Sequence, residues 1–308
     1  MTNAIPYSIG TPGRPWNEAE RNQWRARQSR QRRYEHDVLP RIERLADRFE
    51  RVIYGELDYA GERYTLDALK SRGWDPTKPA VLVTGGVHGY ETSGVMGALE
   101  FLETRALSYA ARLNLLVAPC INPWGYERGN RWNYDAIDPN RSFRVDGPSL
   151  EASTLIRLVT PLHGNFLAHI DLHETTDSDE SEFRPALAAR DGQLYKPGLV
   201  PDGFYLVTDT LNRQMPFQQA IIAAVEQVTH IAPPDEVGKI IGCPVLSPGV
   251  IEYPLNEYNM CAAITGARYT TTTEVYPDSP RAKLQQCNDA QVAAVCAALN
   301  YALSQSPT

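Results

Sequence analysis

Sulfur is scarce in this 308-residue sequence, which has 5 cysteines and 4 methionines. Cys120, Cys243, Cys261, Cys287 and Cys296 are scattered, and none forms a Cys-x-x-Cys pair. Their odd number argues against a disulfide framework, and they read as small core hydrophobes. No apolar run reaches membrane length. Met1 to Trp16 holds polar, glycine and proline residues instead of an apolar signal segment, so the expectation is a cytoplasmic protein away from any membrane. An excess of positive charge is also missing. A net charge of −7 and a pI near 5.5 argue against nucleic acid as the main partner. There is no internal repeat and no low-complexity linker. What is present is 43% hydrophobic content, enough for the core of one large α/β domain.

Residues 17–52 place Trp24, Tyr34, Val38, Leu39, Ile42, Leu45 and Phe49 at mostly helical spacing, which predicts a helix broken or kinked at Pro40. The basic run from Arg21 to Arg33 reads as its solvated face, or else as a docking patch. Residues 53–70 predict a short hairpin. Residues 1–75 are thus expected to form a helical extension and hairpin packed on a catalytic domain spanning 76–308. In that domain, strands at Ala80–Val83, Leu113–Ala118 and Phe166–Leu172 alternate with helices at 92–110 and 149–163. The alternation predicts an α/β fold, a three-layer α/β/α sandwich around a central mixed, mostly parallel sheet. Later segments predict strands at Phe204–Val207, Val245–Tyr253 and Ala267–Val275. They also predict a helix at 216–228 and a last helix from Ser279-Pro280 with a break at Asn288.

The first of these strands runs into Thr84-Gly-Gly-Val-His88-Gly-Tyr-Glu91. Gly85 and Gly86 end the strand and turn the backbone. A spacing of three puts His88 and Glu91 on one side of a helical turn. They read either as half of a catalytic zinc site or as an unrelated pair on a surface turn. The third strand ends in Asp171-Leu-His173-Glu174, and a histidine at a strand's carboxyl end lies where α/β sheets bind ligands. It can supply a third protein ligand, leaving a fourth position for water. His169, inside the strand, and His163, in the preceding helix, read instead as structural.

The loop from Arg128 to Phe143 is dense in Arg and Asn. It offers guanidinium forks for a carboxylate or an oxyanion, or is solvated surface. Thr270-Thr-Thr-Thr-Glu274 places a carboxylate in a strand, where it is costly to bury without a purpose, or at that strand's solvated end. Asp177, Asp179, Glu180 and Glu182 read as a solvated acidic loop, or as one that hangs over the pocket mouth and favours cationic side chains.

Together these residues resemble the zinc carboxypeptidases, peptidase family M14, and their deacylase relatives aspartoacylase and succinylglutamate desuccinylase. His88-Gly-Tyr-Glu91 matches the family's His-x-x-Glu, and Asn122-Pro-Trp-Gly125 its Asn-Pro-x-Gly. Arg131-Trp-Asn133 followed by Asp138-Pro-Asn140-Arg141-Ser-Phe143 matches its Arg-x-Asn and Asp-x-Asn-Arg-x-Phe. His173 matches the third zinc ligand and Thr273-Glu274 the catalytic glutamate. The resemblance implies one zinc ion per chain on His88, Glu91 and His173, with Asp138 orienting His88. It implies Arg131 at the developing oxyanion, Asn140 and Arg141 on the substrate's free carboxylate, and Glu274 as general base. Tyr253, Tyr258 and Tyr269 are candidates for the substrate-binding tyrosine, of which Tyr253 is assigned. The N-terminal 75 residues have no counterpart in the resemblance, and an insertion is expected between His173 and Glu274.

The implied activity is that of a zinc metallocarboxypeptidase, hydrolysing an amide bond next to a free carboxylate in a small peptide. An N-acyl amino acid deacylase is the enzyme alternative. A non-catalytic metal- or peptide-binding protein on the same fold is the remote one.

Overall fold

The computed structural model describes residues 7–162 and 164–305. His163, read above as structural, lies outside the described residues, as do residues 1–6 of the N-terminal arm. The helices are α1 (Glu18–Ala26), α2 (Tyr34–Asp37), α3 (Leu39–Leu45), α4 (Thr92–Thr104), α5 (Pro123–Arg128), α6 (Leu150–Val159), α7 (Arg184–Arg190), α8 (Met215–Val225) and α9 (Leu284–Ser304). The strands are β1 (Phe49–Tyr59), β2 (Glu62–Ser71), β3 (Ala80–Gly85), β4 (Asn114–Ala118), β5 (Phe166–Glu174), β6 (Tyr205–Asp209), β7 (Lys239–Ile240), β8 (Cys243–Pro244), β9 (Val250–Tyr253) and β10 (Tyr269–Val275).

Eight strands form one sheet in the order β1-β2-β4-β3-β5-β10-β6-β9. The central run β4, β3, β5 and β10 is parallel, while β2 joins β4 and β6 joins β10 in antiparallel fashion. β7 and β8 make a separate two-stranded ribbon. Strand β3 explains the layering. Its alternate residues Val81 and Val83 pack into one core cluster with Val95 and Leu99 of α4 and Val295 and Leu299 of α9. Ala80 and Leu82 pack into another with Leu155 and Val159 of α6. The two-residue period of a strand thus feeds both faces of the sheet, and helices cover both. All six residues of β3 are buried, and each fully buried Val or Leu side chain stabilises by roughly 1.5–3 kcal/mol. Among the described residues no helix is long and apolar enough to cross a membrane.

Several expected elements differ. Residues 17–52 form three short helices and the start of a strand, not one kinked helix. Between α1 and α2 the backbone N–H groups of Gln31 and Arg32 donate to Glu127 O at 2.7 and 3.0 Å, a long-range partner that competes with helix continuation. Pro40 sits in the first turn of α3, where its missing N–H costs nothing. From Phe49 the two-residue period wins, and β1 pairs along its length with β2. That hairpin continues the sheet through the pairing of Leu69 and Lys70 with Val117 and Leu116. Helix α9 begins at Leu284, not at Ser279, and runs unbroken past Asn288. The expected strand at Val245–Tyr253 is confined to Val250–Tyr253.

Candidate metal centre

The loop after β3 is shaped by two glycines. Gly86 has φ +60, a left-handed conformation that reverses the chain without a Cβ clash. At Gly89 a Cβ would lie 1.9 Å from the backbone carbon of Gly125, so the two loops touch backbone to backbone. Asn122 builds the opposing surface. Its Oδ1 accepts the Gly125 N–H at 2.9 Å and Pro123 opens the first turn of α5. That contact is the physical content of the Asn-Pro-x-Gly pattern. Arg32 holds the loop from the other side, donating to Gly89 O at 3.1 Å, to Tyr126 O at 3.0 Å and to Thr92 Oγ1. Arg30 pairs with Glu127 at 2.8 Å. Part of the basic run expected to be solvated is therefore a buttress for the site.

Held this way, His88 and Glu91 form a turn in which Glu91 N–H reaches His88 O at 3.3 Å. His88 Nδ1 lies 2.7 Å from Glu91 Oε1. From β5, His173 Nδ1 lies 2.7 Å from Glu91 Oε2. The donor atoms of all three buried side chains fall within 4.8 Å of one another. The far nitrogen of each imidazole meets a carboxylate: His88 Nε2 lies 3.0 Å from Asp138 Oδ1, and His173 Nε2 2.8 Å from Asp171 Oδ2. This is the arrangement that fixes the tautomer of a metal-binding histidine and raises its basicity.

The electrostatics fit a divalent cation. With neutral imidazoles, Glu91, Asp138 and Asp171 carry three negative charges, and Arg131, on Asp138 at 3.1 Å, offsets one. Two remain, in a buried place. His88 Nδ1 and His173 Nδ1 each lie 2.7 Å from one oxygen of Glu91, a buried cluster whose excess negative charge a cation offsets. Without a cation, protonation takes its place. Burial lowers the pKa of His173, but the charges of Glu91 and Asp171 outweigh it and hold the imidazole well above its ordinary value. Burial raises the Glu91 carboxyl, but His173 and His88 outweigh it and hold it down at about 2. Three N/O donors with carboxylate-backed imidazoles suit zinc.

The centre opens into a cavity of about 510 Å³ whose wall includes His88, Arg131, Arg141, Tyr205, Tyr253 and Glu274. Arg131 bridges Asp138 and, at 3.7 Å, Asp179. Asn133 makes this possible. Its side-chain oxygen accepts the Asp135 and Ile137 N–H groups and folds the loop so that Asp138 returns beneath His88. Asn140 Oδ1 accepts the Cys261 N–H at 2.8 Å, which leaves its NH₂ as the group free to donate. Arg141 donates to Asn140 O at 2.7 Å and, among the described residues, has no carboxylate at ion-pair distance. Glu274 accepts from Thr175 Oγ1 at 3.0 Å, and burial pushes its carboxyl up to about 8 despite the opposing charge of His173.

Of the other residues singled out in the sequence, Tyr269 is buried at the far end of β10 against Phe217 and Tyr301, outside the cavity. Tyr258 is partly exposed beside Tyr253, with ring centroids 5.8 Å apart. His169 packs under the centre with Nε2 3.0 Å from Thr84 Oγ1. The acidic run is only partly solvated: Asp177 is exposed, Asp179 is buried, and Glu180 and Glu182 are half-buried. Asp177 accepts from Tyr276, Asp179 from Tyr90, Glu180 from Tyr195 and Glu182 from Tyr7, so the protein's own groups occupy all four.

Asp171, Asp179, Glu174 and Tyr205 belong to the site and were not assigned from the sequence. Asp171 had a signal, since residues two apart on a strand share a face. Glu174 accepts the Thr92 and Ser93 N–H groups at the start of α4, and burial pushes its carboxyl up to about 7.

Residues 77–195 match the family model described as the succinylglutamate desuccinylase/aspartoacylase catalytic domain. The matched stretch covers less than half of the chain. It contains His88, Glu91, Arg131, Asp138 and His173, and ends before Glu274. No curated protein matches the chain. Among solved structures, the chain is similar to a candidate metallopeptidase from Shewanella amazonensis SB2B, at 24% identity and TM-score 0.65, over 86% of this chain and 91% of that one. A metallo-carboxypeptidase from Burkholderia cenocepacia aligns at 15% identity and TM-score 0.60, over 88% and 70%. The carboxypeptidase A of Helicoverpa armigera aligns at 11% identity and TM-score 0.60, over 89% and 74%. The fold is that of the carboxypeptidases.

Proposed function

We propose that this protein is a zinc-dependent metallocarboxypeptidase that hydrolyses the amide bond next to a free carboxylate in a small peptide. The observation that carries the reading is the joint presence, on one cavity, of His88 from the His88/Glu91/His173 donor set, the carboxylate of Glu274 and the guanidinium of Arg141, which among the described residues has no carboxylate partner. His88, Glu91 and His173 would hold one zinc ion. Zinc so held supplies a Lewis acid that can bring the pKa of water from about 15.7 to about 7. Asp138 and Asp171 keep the two imidazoles oriented. Glu274 takes a proton from water and relays it to the leaving nitrogen. Arg131, kept in place by Asp138 and Asp179, stabilises the oxygen on which charge develops. Arg141 and the NH₂ of Asn140 grip the substrate carboxylate, and Tyr253 forms part of the wall beside it.

One observation favours a second reading, hydrolysis of N-acyl amino acids: the matching family model is of a deacylase catalytic domain. Both readings share the residues and their roles. A turnover panel on the zinc-loaded protein separates them, using N-blocked dipeptides in one arm and N-acetyl amino acids in the other. Release of the C-terminal amino acid from the dipeptides supports the carboxypeptidase. Turnover confined to the N-acetyl series supports the deacylase. No turnover of either would overturn both.

A further inference from the structure

The register that sets Glu274 opposite His173 on β5 also sets it opposite Tyr205 on β6. Thr175 follows β5 directly, and its backbone N–H donates to Val275 O at 2.9 Å, tying it to the end of β10. Thr175 and Tyr205 are both buried yet stand on the cavity wall with Glu274. The Thr175 hydroxyl donates to Glu274 Oε2 at 3.0 Å, and its oxygen lies 2.7 Å from the Tyr205 hydroxyl. A hydroxyl has a single proton to give. When Glu274 is ionised, as its role requires, Thr175 gives its proton to the carboxylate and Tyr205 is the donor in the other bond. The chain therefore has one direction, from Tyr205 through Thr175 to Glu274. It ends on Oε2. Among the described residues, Oε1 accepts no hydrogen bond from the protein.

We propose that Thr175 and Tyr205 are positioning residues that hold Glu274 by one oxygen and leave the other for the reacting water. The proposal rests on the reading of Glu274 as proton acceptor. A carboxylate on a free side chain rotates among several poses. A base works only within about 2.6–3.2 Å of the proton it takes. A misplacement of about 1 Å can cost on the order of 10²-fold in rate. Pairing of β10 with β6 fixes the backbones of Glu274 and Tyr205, and the bond to Val275 fixes that of Thr175, so a short hydroxyl chain is enough to fix the carboxylate. The rival role for Tyr205 is direct contact with substrate from the cavity wall.

The test is a double-mutant cycle on the zinc-loaded protein with an N-blocked dipeptide, or an N-acetyl amino acid if that is the series turned over. Thr175→Val and Tyr205→Phe are each expected to lower kcat about ten-fold, the low end of what losing a supporting hydrogen bond costs. KM stays within about two-fold, because the ground-state grip is elsewhere. The double variant loses about ten-fold rather than about a hundred-fold, since both act through one chain. Thr175→Ser restores the rate lost in Thr175→Val. In a Glu274→Gln background neither change has an effect. Zinc content and the Tm of the metal-free protein stay at parental values throughout. A raised KM at constant kcat would make Tyr205 a substrate contact and overturn the proposal, as would additive losses or losses that persist in the Glu274→Gln background. A collapse in Glu274→Gln with unaffected Thr175 and Tyr205 variants overturns the positioning role alone. A Glu274→Gln protein with parental kcat overturns the proton-acceptor reading, and the proposal with it.

Discussion

Glu274 and His173 are register partners on the adjacent parallel strands β10 and β5. Strand pairing therefore places a carboxylate beside the metal donor set from a point in the sequence 101 residues away. Because both sit at the carboxyl ends of their strands and are paired directly with each other, with Glu274 also paired to Tyr205, their separation is a property of the sheet and not of a loop.

The donor set predicts a metal requirement. His173→Ala should reduce zinc from one per chain to near none, measured by elemental analysis after dialysis. Asp171→Asn keeps all three donors but removes the carboxylate that backs His173, and should weaken zinc binding by about 10–100-fold in a chelator competition. Full zinc occupancy in His173→Ala would remove that residue from the site.

Glu274 predicts a loss confined to chemistry. Glu274→Gln is nearly the same size and should still bind zinc and substrate. Its kcat should fall by about 10²–10⁴-fold, the usual worth of a general base. Near-parental kcat would move the role to another carboxylate, with Glu174, also on the cavity wall, the next candidate.

Arg131 and Arg141 predict opposite kinetic signatures. Arg141 should interact alike with the ground state and the transition state, so Arg141→Ala should mainly raise KM. Arg131 meets an oxygen whose charge grows only during reaction. Arg131→Ala should therefore lower kcat by roughly 10²–10³-fold with a smaller change in KM. The reverse pattern would exchange their assignments.

His169 should contribute a loss of stability on mild acidification, opposing the gain from Glu274 and Glu174, whose carboxyls burial holds above their ordinary value. Burial holds this imidazole at about 4, below its ordinary 6.5. Between those values the unfolded chain binds the proton and the folded chain does not, so stability is lost as pH falls from 6.5 towards 4. The loss between pH 6.5 and pH 5 is about 2 kcal/mol. Denaturant unfolding should show that, between pH 6.5 and pH 5, His169→Gln is spared that loss relative to the parent protein. Identical pH dependence in the two proteins would assign the effect elsewhere.

The sequence made the layered fold legible because strands β3, β4 and β5 are short apolar runs separated by helical periods, with little competing signal. The candidate donor cluster was legible because His88 and Glu91 lie three apart after two glycines, and because His173 ends an apolar strand. Less legible were contacts that depend on distant pairing. Tyr205 enters the site only through the register of β6 on β10. Arg32 sits in a charged run that looks like any solvated helix face, and its partners are the backbone carbonyls of Gly89 and Tyr126, which leave no mark in composition. The acidic stretch misled for a related reason. Its partners Tyr7, Tyr90, Tyr195 and Tyr276 come from four separate parts of the chain.

The central claim is hydrolysis of an amide next to a free carboxylate that Arg141 anchors. The most direct measurement compares kcat/KM for one substrate as the free acid and as its C-terminal amide, on the zinc-loaded protein. The account predicts that the free acid is turned over faster by on the order of 10²-fold, the worth of one or two charge-assisted hydrogen bonds. It also predicts that the difference nearly vanishes in Arg141→Ala. Equal rates for acid and amide in the parent protein would contradict the account and point to an endo-acting hydrolase or an esterase.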